Sequence, residues 1–299
     1  MKRISLFFSF ALLMMSAFGN PNASKKSKLP KHVILVGFDG LSASCIRKGA
    51  DMPQLRQLMA DGAYSLEGRT ILPSSSACNW ASMFMGAGTE LHGYTEWGSR
   101  VPELPSRVVN EDNRFPTIFG QYRQAYPKAE IGYFFEWDGM NFLVDTLALN
   151  HRQHVKACTE PAVAYIKEKK PNLCAIIFAE PDGVGHGKGW DTPAYMEKVK
   201  ELDKCLAHIV KAVEEAGMMD ETVIIVTSDH GGTGTGHGGK SMVEMQRPLV
   251  IYGKNVKKGF EIQDSHVVYD VAGTMAYLLN VEQPQVWTAR PILSAFDKK

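Results

Sequence analysis

The sequence predicts an α/β fold, a mostly parallel central sheet with helices on both faces and a small cap or long loop insertion. Two observations carry that expectation. Apolar runs suited to buried strands alternate with segments of helical spacing along the chain after residue 30. The strongest runs, 33–38, 173–179 and 223–226, each lead into a carboxylate beside glycine: Asp39-Gly40, Asp182-Gly183 and Asp229-His230-Gly231. In such sheets ligands gather beyond the carboxyl ends of the strands.

The chain opens with Lys2-Arg3 and an apolar stretch from Ile4 to Phe18, followed by Gly19. This is the pattern of a signal peptide, 1–19, cleaved after Gly19. The apolar length is short for a membrane span, so no permanent membrane anchor is expected. Polar residues 20–30 read as a flexible linker, and 31–299 as a single domain. With 44% apolar residues, 22% charged residues and a net charge of +1, the composition is globular and offers no nucleic-acid-binding patch. The five cysteines, Cys45, Cys78, Cys158, Cys174 and Cys205, are odd in number and lack a C-x-x-C, so no disulfide framework is implied.

After the first strand, Leu55, Leu58 and Met59 give 53–60 helical spacing, closed by Gly62. Thr70-Ile71-Leu72 reads as a short strand, 73–76 as a serine-rich turn, and 77–85 as a helix closed by Gly86. Residues 89–115 carry no period and read as a long loop or a small cap. A helix over 115–124, a strand over 131–135 and a helix over 160–170 follow. Thr192-Pro193 starts the clearest helix, a capping hydroxyl with proline at the first helical position. Its stripe of Met196, Val199, Leu202, Leu206, Ile209, Val210 and Val213 repeats at 3.6 residues. A strand over 248–252 and a helix over 267–279 complete the pattern.

The chemistry concentrates at the strand ends. Asp39, Asp182, His186, Asp229, His230 and His237 bring three carboxylates and three imidazoles, enough for two metal ions with open positions. A two-metal site suits phosphoryl transfer. Ser76 is the candidate nucleophile, a hydroxyl entering a helix whose N-terminus favours anions; Ser74 and Ser75 are its rivals. Cys78 reads as packed near the site, and His92 as structural. Trp80 and Trp97 read equally as stacking surfaces or as core and lid. His151, His154, His208 and His266 read as surface or satisfied histidines, and Lys188 and Lys240 as within reach of a substrate anion.

Gly37-Phe38-Asp39-Gly40, Pro73-Ser74-Ser75-Ser76-Ala77-Cys78-Asn79, Glu180-Pro181-Asp182-Gly183-Val184-Gly185-His186, Ser228-Asp229-His230-Gly231 and Gly236-His237-Gly238 stand in the order of the alkaline phosphatase superfamily, which the chain resembles. Within it, the chain is similar to the type I phosphodiesterase/nucleotide pyrophosphatase group. The resemblance implies that Asp182, His186 and His237 hold one zinc ion and Asp39, Asp229 and His230 the other. Ser76 would stand between them as ligand and nucleophile, with the Asn79 amide on a phosphoryl oxygen. It implies double displacement through a phospho-serine, on a small phosphate ester or a nucleotide-like substrate. Nucleotide-processing members carry threonine in Thr-x-Thr-Phe-Pro-Asn, where this chain has Ser76 and Ala77-Cys78. The arginine of the monoesterase branch has no counterpart, and the sulfatase pattern of Cys or Ser followed by x-Pro-x-Arg is missing. The expectation is a secreted or periplasmic dizinc phosphodiesterase. A phosphomonoesterase or phosphonate hydrolase is the alternative within the same chemistry, and an exported binding protein with a degenerate site the alternative outside it.

Overall fold

The computed structural model describes residues 29–297, so the expected signal peptide and most of the linker lie outside the described residues. The strands are β1 His32–Phe38, β2 Ala63–Arg69, β3 Ile131–Phe135, β4 His151–His154, β5 Leu173–Phe178, β6 Thr222–Thr227, β7 Gln246–Gly253 and β8 Phe260–Glu261. They form one sheet in the order β4-β3-β5-β1-β6-β7-β2-β8. From β4 to β6 all neighbours are parallel; β7 is antiparallel to β6 and β2, and β8 is parallel to β2. The expected mostly parallel sheet is therefore the one observed. Strand β2 departs from expectation. Its Ser65, Glu67, Gly68 and Arg69 break the apolar pattern, and it ends at Arg69, one residue before the stretch expected to be extended. Polar β4 and two-residue β8 also carry no sequence signal.

The helices are α1 Ala43–Arg47, α2 Pro53–Asp61, α3 Ser76–Met85, α4 Thr89–His92, α5 Ile118–Ala125, α6 Thr159–Lys169, α7 Asp182–Lys188, α8 Pro193–Glu215, α9 Met242–Met245 and α10 Asp270–Leu279. Alternation along β1 shows how the two faces are filled. Val33 and Leu35 join a core with Phe84 of α3, Phe119 of α5 and Met275 of α10. Ile34, Val36 and Phe38 join a second core with Leu58 of α2, Ile166 of α6 and Leu206 of α8. Helix α8 keeps its expected stripe, and the Thr192 hydroxyl accepts from the Tyr195 amide to cap it. Helix α3 is buried all round, as its uniformly apolar and small sequence allows. Beyond α4, residues 93–117 have no regular structure, as expected of a loop insertion.

Behind the sheet end, Arg247 of β7 is fully buried and donates to the Thr227 hydroxyl. His266 lies beside it and departs from expectation: it is buried, and neither ring nitrogen has a partner among the described residues. Burial, with the Arg247 charge adding to it, lowers its pKa to about 3, so it stays neutral.

Leu206 is fully buried, whereas Lys211 on the outer face of α8 pairs with Glu215 at 3.6 Å in solvent. Urea unfolding is expected to show Leu206→Ala losing about 3 kcal/mol and Lys211→Ala no more than about 0.5 kcal/mol. Equal losses would contradict this account of the core.

Candidate metal centre

Adjacent strands β5, β1 and β6 deliver the centre. Asp39 follows β1 directly, Asp182 opens α7 after β5, and Asp229 and His230 follow β6. The turns are tied together: the Asp182 amide donates to the Asp39 carbonyl at 3.0 Å, and the Gly40 amide to Asp229 Oδ1 at 3.1 Å. Gly40 has φ +70°, and a Cβ there would stand 2.9 Å from that of Asp182, so glycine is needed for this crossing. Helix α7 sets His186 one turn beyond Asp182, with Nε2 at 3.4 Å from Oδ2. His237 arrives on the glycine-rich loop. Ser74 clamps that loop, donating to the Gly239 carbonyl at 2.6 Å and accepting from the Gly238 amide at 3.1 Å. Glu244 holds it from the other side through the Gly239 amide at 2.8 Å.

Each imidazole is aimed by a backbone carbonyl at Nδ1: Thr235 for His186 at 2.9 Å, Gly231 for His230 at 2.8 Å, and Ser74 for His237 at 2.9 Å. With Nδ1–H donating, every Nε2 presents a lone pair, the arrangement that orients metal-binding histidines. His186 Nε2 and His237 Nε2 then face one another at 3.1 Å, a repulsive contact unless a cation shares the lone pairs. The His230 and His237 rings stack at 3.8 Å, which joins the two halves of the cluster.

The carboxylates repeat the pattern. Trp80 Nε1 holds Asp39 Oδ2 at 3.1 Å, and Asp229 Oδ2 and Asp182 Oδ1 are buried without a hydrogen-bond partner among the described residues. Burial, then the neighbouring carboxylates Asp229 and Asp182, push the Asp39 carboxyl well above the usual range. Burial likewise raises Asp229, with Asp182 adding to it. Burial lowers His230, and burial followed by the His230 charge lowers His237 to about 4. A set of orphaned acceptor oxygens and converging lone pairs fits divalent cations, and the mix of imidazole and carboxylate suits zinc. Candidate ligand atoms of Asp182, His186 and His237 lie within 4.8 Å of one another, as do those of Asp39, Asp182 and His230. Asp182 is thus within reach of both halves, a position the sequence had assigned to one alone.

Of the three serines, Ser76 is the one whose hydroxyl hydrogen-bonds to candidate ligands among the described residues. Its Oγ is 3.1 Å from His230 Nε2 and 3.4 Å from Asp39 Oδ1, while Ser74 is engaged as the clamp. Asn79 requires a correction. Its Nδ2 donates to the carbonyls of Pro73 at 3.0 Å and Ser75 at 2.9 Å. Its Oδ1 accepts from the Ile71 amide at 2.9 Å and from the Thr70 hydroxyl. Fully buried and hydrogen-bonded on both sides, the amide braces the turn that carries Ser76 and has no donor left for a phosphoryl oxygen.

Trp80, also fully buried, belongs to the core and orients Asp39. Gly37 makes room for it, since a Cβ on β1 would lie 2.5 Å from the indole. Cys78 is buried with its thiol pushed up to about 12 by burial, so it is packed and not nucleophilic. His92 is buried on Ser82, 2.8 Å from its hydroxyl, in the structural place expected. Trp190 was not anticipated: it packs edge-on to His186 and His237 and donates to the Gly40 carbonyl at 3.0 Å. Its place just past the glycine-rich ligand turn was the one available signal.

The fold is the mostly parallel α/β sheet that the resemblance to the alkaline phosphatase superfamily implies. The model of the type I phosphodiesterase/nucleotide pyrophosphatase family matches residues 33–128 and 104–285, and the chain belongs to that family. It is 26% identical over 223 residues to bis(5'-adenosyl)-triphosphatase enpp4 of Xenopus laevis, covering 69% of this chain and 48% of the relative. It is 24% identical over 271 residues to human ectonucleotide pyrophosphatase/phosphodiesterase family member 7, covering 82% and 57%. The chain spans about half the length of these curated relatives. The structure of human ectonucleotide pyrophosphatase/phosphodiesterase 5 superposes with a TM-score of 0.74 at 14% identity, covering 89% of this chain and all of that one, a likeness of fold.

Removing the indole donor frees Asp39 Oδ2 without touching a candidate ligand. Trp80→Phe is expected to weaken divalent-metal affinity about 10- to 100-fold, read by competition with a chromogenic chelator. A loss of stability with unchanged metal affinity would reduce Trp80 to packing alone.

Proposed function

We propose that this protein is an exported phosphodiesterase working with two divalent cations, zinc by donor chemistry, and with Ser76 as the nucleophile. The observation that carries the reading is the Ser76 hydroxyl among converging lone pairs, within 3.4 Å of both Asp39 and His230. Cations bound there would lower the pKa of that hydroxyl and offset charge on the phosphoryl oxygens. Asp182, His186 and His237 would hold one cation, and Asp39, Asp229 and His230 the other, with Ser76 between them. Export rests on the signal-like residues 1–19. Among the described residues, no helix is long and apolar enough to cross a membrane.

The chain's own residues supply the rest. Asn79 and Thr70 fix the turn, so the Ser76 hydroxyl is held at the head of α3, where the helix N-terminus favours the anionic group under attack. Ser76 Oγ forms the bond to phosphorus as the ester's alcohol departs, and water then cleaves the phospho-serine to restore the hydroxyl. Among the described residues, no arginine hydrogen-bonds to the candidate ligands or to Ser76; the buried Arg247 is turned to Thr227 and the Arg69 carbonyl. Without a guanidinium for a second negative charge, the site suits a monoanionic diester better than a dianionic monoester. A nucleotide-like diester fits the family, and the relatives' names point the same way.

The test compares kcat/KM for bis-p-nitrophenyl phosphate and p-nitrophenyl phosphate. The diester is expected to be favoured, and Ser76→Ala to lose roughly 10³-fold or more on it with metal still bound. Preference for the monoester would transfer the assignment to a phosphomonoesterase. Full activity of Ser76→Ala would refute the covalent route, and inertness of the metal-loaded protein toward both esters would leave the degenerate binding protein.

A further inference from the structure

We propose that Arg247 and His266 bind a small monovalent anion, of the size and charge of chloride, behind the end of the sheet. The site is separate from the metal centre, and the proposal does not rest on the phosphodiesterase reading. Arg247 is fully buried, and His266 is 3% exposed. Strand register brings them together. Gly68 of β2 is paired with Arg247 of β7, so the two share one face of the sheet. A Cβ at Gly68 would stand 2.6 Å from the His266 ring, so the imidazole covers Gly68 beside Arg247. The Arg69 amide donates to the His266 carbonyl at 3.0 Å and holds that segment on the strand.

The donors there are only partly used. Arg247 Nη1 donates to the Thr227 hydroxyl and Nε to the Arg69 carbonyl at 3.4 Å. Its Nη2 and both ring nitrogens of His266 are buried without a partner among the described residues. Burial lowers the Arg247 pKa to about 10, which leaves it a cation at neutral pH. Nearby carboxylates do not bond to it. Asp270 accepts from the Arg290 amide at 2.7 Å and the Val267 amide at 2.8 Å, and Asp229 from the Gly40 amide at 3.1 Å. A water molecule would satisfy the free N–H groups and leave the buried charge uncompensated; an anion does both. Size follows from the same count. With Nε and Nη1 engaged, the fork that grips a carboxylate or phosphate is taken, and Nη2 with one imidazole N–H suits a single atom. A cleft of about 350 Å³, lined by Asp264, Ser265, His266, Asp270 and Arg290, gives the route in. Its two carboxylates disfavour multiply charged anions.

The test is anomalous diffraction at the bromine edge from crystals of the full chain grown in sodium bromide. A peak is expected within hydrogen-bonding reach of both Arg247 Nη2 and the His266 ring. A water molecule in that place, or bromide at other positions as an adventitious ion only, would overturn the proposal. In solution, chloride at about 100-fold over its Kd should raise Tm by about 5 °C relative to sodium gluconate of equal ionic strength. Arg247→Met should abolish the rise. Should that variant not fold, His266→Phe keeps the bulk of the ring without its nitrogens and should lose most of the rise. No rise in the wild-type protein, or an equal rise in His266→Phe, would overturn the assignment.

Discussion

The architecture turns on one electrostatic constraint, the gathering of three carboxylates and three imidazole lone pairs at the ends of adjacent strands. Left without cations, the cluster is repulsive. His186 and His237 face each other nitrogen to nitrogen at 3.1 Å, and Asp39 and Asp229 lie in surroundings that disfavour their charged forms. Much of the neighbouring structure holds that arrangement in place. Carbonyls fix the imidazoles, the Gly40 amide and the Trp80 indole fix the carboxylates, and Ser74 and Glu244 hold the glycine-rich loop across them. A fold that keeps such a cluster buried requires a compensating charge, which divalent ions would supply.

The two halves differ in access. Asp229 and His230 are fully buried on the sheet end, whereas the His186 side chain is 47% exposed. The open approach is therefore over the α7 side, while Ser76 contacts Asp39 and His230 of the buried half. Trp190 underlies the open half, packing against His186 and His237 and reaching the Gly40 carbonyl, so the exposed ligands are backed by the same turn as the buried ones.

The central strands, and the strand ends at which the candidate ligands gather, were legible in the sequence because each signal is local. Uniform apolar runs mark strands covered on both faces, and a carboxylate beside glycine at the end of such a run marks a turn that faces a ligand. What depended on tertiary contact was not legible. Strand β2 mixes polar and apolar residues because it lies near the sheet edge. Asn79 lies one helical turn beyond Ser76, and nothing in its spacing tells that its amide turns back onto the carbonyls of Pro73 and Ser75. Trp80 and Trp97 looked alike in the sequence, yet one is a buried donor to Asp39 and the other stands in solvent; Gly37, which admits the first, lies on another strand. His266 gave no hint of its burial against Arg247, since that contact joins segments distant in the chain.

The most direct measurement is anomalous diffraction at the zinc edge from crystals grown with zinc. The account predicts two peaks per chain, one among Asp182, His186 and His237 and one among Asp39, Asp229 and His230, with Ser76 Oγ between them. A single peak, or none with the imidazoles still facing each other, would contradict it.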